Sequence, residues 1–286
     1  MNLQDWLIKA QEILEQADVF LGHGTDNYWD EALHLTLPLL GIAFDASRDV
    51  LMRELTADEK ASLKAALLRR VELREPVPYI TSQAWFCGMP FYVDKRVLIP
   101  RSPLGELIEH HFSPWLRQEP KRILDLCCGG ACIALACSHY FPDALIDASD
   151  LSADALAVAA MNVKGFNAEA HVRLVQSNLF TALSGERYDL IVCNPPYVDA
   201  EDMAVLPPEY RHEPIMALES GNDGLDFTRR LLLEAADYLN DDGLLIVEVG
   251  NSAAALEAAF PSLPFVWLEF ARGGDGVFLL SKADFS

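Results

Sequence analysis

Arg122-Ile123-Leu124-Asp125-Leu126-Cys127-Cys128-Gly129-Gly130-Ala131-Cys132 reads as a buried strand running into a glycine turn and then a helix. The strand spans Arg122 to Cys127 and the helix Ala131 to His139. Two glycines at such a turn let a ligand approach the backbone closely. The turn alone is equally consistent with a plain tight connection. The full GxGxxG dinucleotide fingerprint is missing, and no Walker lysine follows.

The alternation continues downstream. Ala144 to Ser149, Val172 to Gln176, Tyr188 to Cys193 and Gly243 to Val249 read as strands. Ser152 to Asn162, Phe227 to Leu239 and Ser252 to Phe260 read as helices, the first opened by an N-cap serine with Asp154 in its first turn. A long loop fills the chain up to residue 225. Two closing strands, Phe265 to Phe270 and Gly276 to Ser281, are linked only by Arg272 to Asp275. That link is too short for a crossover, so the pair should be antiparallel. The pattern implies an α/β fold: a doubly wound sheet, mostly parallel with an antiparallel C-terminal strand, and ligands at the carboxyl ends of the strands.

Upstream, residues 1–75 read as a helical domain. Trp6, Leu7, Ala10, Ile13, Leu14 and Ala17 keep helical spacing, with Gly22 as the expected stop. Further helical runs follow Asn27 and Thr56. Glu75-Pro76-Val77-Pro78-Tyr79 should break the last helix. Residues 76–103 hold a β-hairpin around Cys87-Gly88-Met89-Pro90 and a proline-framed linker, Leu98 to Pro103. Residues 104–286 form the α/β domain, entered by a short helix from Leu104 to Phe112.

Composition narrows the function. The 286 residues carry 22 basic and 43 acidic groups, a net charge of −21. Such a chain repels phosphate backbones, so direct nucleic-acid binding is not expected, whereas a basic protein partner is drawn in faster. Met1 to Leu14 carries Asp5, Lys9 and Glu12 and lacks the apolar core of a signal peptide. No segment has the roughly 18 apolar residues of a membrane helix, so a cytoplasmic protein is expected, with no membrane partner. Four of the six cysteines crowd between Cys127 and Cys137, but their spacing fits no zinc pattern. They are expected to be buried thiols, with no metal.

Several residues sit where strand ends converge. Asp150 follows the second strand, about 20 residues beyond the glycines, where an acidic side chain accepts from ribose hydroxyls. It is better placed than Asp147, which lies inside the strand. Asn178, after the third strand, offers an amide for an adenine edge; a plain turn residue is the alternative. The fourth strand runs directly into Asn194-Pro195-Pro196-Tyr197. Two prolines fix φ and remove two donors, leaving stiffly held carbonyl acceptors. Asn194 adds a side-chain acceptor and Tyr197 a flat face. The set suits a planar NH₂ group, with one N–H to Asn194 and one to the Pro195 carbonyl.

Residues 121 to 197 resemble a class I S-adenosylmethionine-dependent methyltransferase, and Asn194-Pro195-Pro196-Tyr197 is similar to the signature of enzymes that methylate conjugated amino groups. Pro78-Tyr79-Ile80 through Leu98-Ile99-Pro100-Arg101 resembles the connector of the HemK/PrmC protein-glutamine methyltransferases. Arg101 to Ile108, Glu209-Tyr210-Arg211-His212-Glu213-Pro214 and Gly221-Asn222-Asp223-Gly224-Leu225 resemble its branch acting on ribosomal protein L three. Ser102 stands where the release-factor branch usually has a second proline.

The resemblance implies S-adenosyl-L-methionine as cofactor, with Asp125, Gly129 and Gly130 beside its methionine part, Asp150 on the ribose and Asn178 on the adenine. It implies that Asn194, Pro195, Pro196 and Tyr197 hold a glutamine amide, Asn194 also meeting the cofactor. Ribosomal protein L three, a basic protein, is the implied substrate; a release factor, or adenine or guanine in nucleic acid, are the alternatives. The family usually has glycine where Ala131 stands and an acid where Asn178 stands. An in-line displacement on an activated methyl asks mainly for positioning. No dedicated general base is called for, the shed proton passing to water or the loop. His110, His111 and His212 receive no role.

Overall fold

A computed structural model describes residues 1–285. Its N-terminal layer packs α1 (Leu3–Gln16), α2 (Tyr28–Thr36) and α3 (Ala57–Glu72) around Leu3, Leu7, Leu14, Leu35 and Leu63. Capping boxes start α1, with Asn2 and Asp5, and α3, with Thr56 and Glu59. Gly22 does not end α1: the helix stops at Gln16, and Asp18 turns the chain at φ +48°. Arg74 donates to the Ala17 and Asp18 carbonyls there, so a side chain distant in sequence supplies the cap. The proline segment after α3 does break it, but then forms one helical turn, α4 (Val77–Thr81). Prolines are tolerated in a first turn, where the missing N–H has no helical partner.

The hairpin is β1 (Gln83–Phe86) and β2 (Met89–Tyr92), turning at Cys87 and Gly88, both with positive φ. After the linker come α5 (Leu104–Glu109), β3 (Arg122–Leu126), α6 (Cys132–Tyr140), β4 (Leu145–Asp150), α7 (Ala153–Gly165), β5 (Val172–Gln176) and β6 (Tyr188–Cys193). The expected long loop is partly ordered: it holds α8 (Ala200–Val205) and 3₁₀ turns at Pro208–His212 and Ile215–Ala217. The chain ends through α9 (Asp226–Glu234), β7 (Leu239–Glu248), α10 (Ala253–Ala259), β8 (Val266–Trp267) and β9 (Val277–Ser281). The expected helix to Leu239 stops at Glu234 and continues as a 3₁₀ turn, and the first closing strand shrinks to two residues.

The seven strands lie in the order β5-β4-β3-β6-β7-β9-β8. Neighbours are parallel except around β9, which runs antiparallel to both β7 and β8. Apolar cores cover both faces of the sheet. The order reverses between β3 and β6, opening a crevice at their carboxyl ends, where β3 meets its glycine turn and β6 meets Asn194. Among the described residues, no helix is long and apolar enough to cross a membrane.

Candidate active site

The turn after β3 is built on backbone conformations that ordinary residues avoid. Cys127, Gly129 and Ala131 all have positive φ, Ala131 at +62° in a fully buried site. The methyl group that stands in place of a glycine hydrogen is thus accommodated in the left-handed region. Asp150 is the last residue of β4 rather than a loop residue, and its oxygens accept from the N–H groups of Gly129 and Ser152 at 2.9 and 2.8 Å. Burial pushes its carboxyl above the usual range, against the pull of those N–H groups.

Asp125 is fully buried beneath the same turn, where its Oδ2 accepts from Ala134 N at 2.9 Å. Its Oδ1 has no protein partner. Burial, together with the charge of Asp150, pushes the carboxyl up to about 7, against the Ala134 N–H. The Gly130 carbonyl accepts from Asn162 Nδ2 at 2.9 Å, tying the turn to α7.

A cavity of about 130 Å³ opens beside this turn, lined by Gly129, Asp150, Leu151, Ala155, Asn194 and Phe227 among others. A Cβ on Gly129 would meet nothing within 4 Å, so that backbone faces open space. The lining combines acceptors, Asp150 and Asn194, with apolar side chains, Leu151, Ala155 and Phe227, a mixture that suits a nucleoside. Asn178 is not among the lining residues. It is exposed, and its amide oxygen accepts from Arg230 Nη2 at 3.0 Å.

A second cavity, about 470 Å³, lies across Asn194. Pro195, Tyr197, Arg101, Tyr210 and Glu248 line it. Asn194 borders both spaces, and among the described residues no hydrogen bond engages its side-chain amide. Tyr197 is locked from two sides: its hydroxyl donates to Glu248 Oε1 at 2.7 Å, and its carbonyl accepts from Ser252 Oγ at 3.0 Å. Arg101 lies over the Tyr210 ring at 5.1 Å and donates to Glu213 at 2.8 Å. Glu213 also meets His23 Nε2 at 2.6 Å, so the helical layer reaches the wall of the cavity.

Sequence reading passed over Glu248, Glu213, His23 and Phe227 as site residues. Glu248 had one signal: it ends the strand beside the one that runs into Asn194. The others lie on segments whose place is set by packing. The histidines without a role stay outside both cavities; His212 Nε2 meets the Leu73 carbonyl at 2.8 Å. All six cysteines are free thiols, and no group of three or more metal-ligating side chains is assembled among the described residues.

Residues 107–206 match the Methyltransferase small domain family. The ribosomal protein uL3 glutamine methyltransferase of Francisella tularensis subsp. tularensis is 48% identical over 282 residues, covering 98% of this chain and 90% of that protein. This chain belongs to the ribosomal protein uL3 glutamine methyltransferase family. Its counterpart from Neisseria meningitidis serogroup B is also 48% identical, over 98% of this chain and 93% of that protein. The fold matches the hMettl16 catalytic domain with a TM-score of 0.51, at 18% identity, over 79% of this chain and 81% of that one. The chain is therefore a class I methyltransferase, and the expected sheet, with its antiparallel C-terminal strand, is the one observed.

Proposed function

We propose that this chain transfers the methyl group of S-adenosylmethionine to the side-chain amide nitrogen of a glutamine in ribosomal protein uL3. The observation that carries this reading is the position of Asn194: its amide, without a hydrogen-bond partner among the described residues, lines both the cavity beside the Gly129 turn and the larger one. When bound, the cofactor supplies an activated sulfonium methyl. Asp150 would accept from its ribose hydroxyls, while Asp125, Gly129 and Gly130 would flank its methionine part. Leu151, Ala155 and Phe227 offer apolar faces. Asn178 would accept from an adenine amine on the second lone pair of the oxygen that meets Arg230.

On the other side, the Asn194 side-chain oxygen and the Pro195 carbonyl would accept the two N–H groups of the glutamine amide. Pro196 keeps the elbow stiff and Tyr197 shapes the slot. Holding both N–H groups orients a weak nucleophile, whose lone pair is delocalised, with its normal toward the methyl carbon. The helical layer would dock the substrate, because His23 and Glu213 join it to the cavity wall.

The test is transfer of labelled methyl into unmethylated uL3, release factor and naked rRNA in parallel. Labelled N-methylglutamine in uL3 alone is the expected outcome. Label confined to a release factor or to RNA would overturn it. Asn194→Ala should slow transfer by about 10²–10³-fold, the usual loss on removing one preorganised polar group.

A further inference from the structure

We propose that the Glu248 carboxylate accepts the proton that the substrate amide sheds as it is methylated. This deepens the reading above and rests on it. Cys193 pairs with Val247 across β6 and β7, so Asn194 and Glu248 are the next residues along adjacent parallel strands. Both line the larger cavity, and Glu248 is only 6% exposed. Each of its oxygens is held by one hydroxyl: Oε1 by Tyr197 at 2.7 Å, Oε2 by Ser102 at 2.5 Å. These donors come from the proline elbow and from the linker, the two segments framing the cavity. They orient the carboxylate without exhausting it, since an ionised carboxylate has about four lone-pair sites.

The electron count closes on this group. The nitrogen pair forms the new N–CH₃ bond, and the methyl carbon's bond to sulfur breaks with its pair left on sulfur. One amide N–H bond breaks, its pair stays on nitrogen, and the proton forms an O–H bond on Glu248. A sulfonium and a carboxylate thereby become a thioether, an N-methyl amide and a carboxylic acid, so the reacting groups are left neutral in a partly desolvated cavity.

Of the other lining groups, Asn194 and Pro195 offer only amide carbonyls and Arg101 is a cation, while the Asp202 and Asp275 carboxylates sit on α8 and on an exposed loop, off the strand that adjoins Asn194, with Asp202 accepting from Asn251 Nδ2 at 3.1 Å. Tyr197 already carries its proton, and burial beside Glu248 raises its pKa further. The groups facing Glu248 are Tyr197 from the elbow, Ser102 and Arg101 from the linker, and the Cys193 thiol from β6. Burial pushes the Glu248 carboxyl above the ordinary glutamate value, while the two hydroxyls and Arg101 pull the other way. A carboxylate raised toward neutrality is the better base.

The test is single-turnover methylation of uL3 against pH, for wild type, Glu248→Gln, Tyr197→Phe and Ser102→Ala. It is paired with infrared titration of the cofactor-free proteins. The wild-type rate should fall on acidification, with an apparent pKa above that of an ordinary glutamate. Glu248→Gln should slow transfer by about 10²-fold or more and lose that acid limb. Tyr197→Phe and Ser102→Ala each remove a donor that stabilises the ionised form, so each should move the limb to higher pH.

The wild-type minus Glu248→Gln difference should show one protonated-carboxyl stretch over the same pH range, beyond the signal that Asp125 and Asp150 give in both proteins. A Glu248→Gln enzyme with the wild-type rate and pH profile would overturn the proposal. So would an unmoved limb in both hydroxyl variants, which decide the matter if Glu248→Gln does not fold. A wild type that methylates uL3 with no acid limb removes only the proton assignment. A wild type that leaves uL3 unmethylated removes the substrate reading and this one with it.

Discussion

Tyr197 shows how much of the site hangs on single backbone positions. Its carbonyl is clamped by Ser252, and Gly224 passes against both at φ +74°. A Cβ on Gly224 would lie 2.0 Å from Ser252 Oγ and 2.2 Å from the Tyr197 carbonyl oxygen. Gly224→Ala should therefore cost more than the roughly 1–2 kcal/mol of left-handed strain alone, and should displace the elbow. Urea unfolding gives the first quantity and the KM for uL3 the second; a variant as stable and active as wild type would refute this contact. Ala131 is the opposite case, an alanine that lives at φ +62°. The positions that demand positive φ are legible in sequence only where glycine marks them, and Ala131 and Cys127 do not announce themselves.

At the scale of elements, the segment between β6 and α9 is the one whose reading as a plain loop fell short. It is stapled to the helical layer through charged side chains that pattern analysis does not pair. Arg70, on α3 and 1% exposed, donates to Glu31 at 2.6 Å, to Glu209 at 3.1 Å and to the Phe20 carbonyl at 2.7 Å. Removing the guanidinium would leave Glu31 buried without its cation and Glu209 with only Arg74, at 3.7 Å. Arg70→Met should destabilise the protein by about 3–5 kcal/mol in denaturant titration. The surface Arg272–Glu109 pair should contribute far less, so Arg272→Met should barely move the same measurement. Equal losses from the two substitutions would show that burial does not govern these pairs.

Across the whole molecule, charge sets two responses. Burial pushes the Glu213 carboxyl up, but the Arg101 charge and the His23 contact outweigh it and hold it below the ordinary glutamate range. Burial likewise opposes Arg69 and Lys95 at Glu75, and the cations prevail. Folded values below unfolded ones mean the stabilisation is complete above the ordinary glutamate pKa and is lost as pH falls through the depressed values. Melting temperature should thus drop on acidification, and Glu213→Gln should lower it at neutral pH while flattening the acid decline. An unchanged slope would assign the acid loss elsewhere. The net charge of −21 should speed capture of a basic protein, so association with uL3 should slow steeply as salt rises. A salt-independent association rate would remove electrostatic steering from the account.

The succession of strands and helices and the elbow at Asn194 followed from residue pattern, because hydrophobic period, glycine turns and proline stiffness act over a few residues, whereas the reversal between β3 and β6 was set by the folded sheet. The hairpin and the antiparallel closing strand were legible for the same reason. Folding was needed to place the carboxylates. Tyr197 and Glu248 stand 51 residues apart, Ser102 and Glu248 146, and His23 and Glu213 190. Their contacts, and the desolvation that shifts their pKa values, exist only once the chain has closed around them.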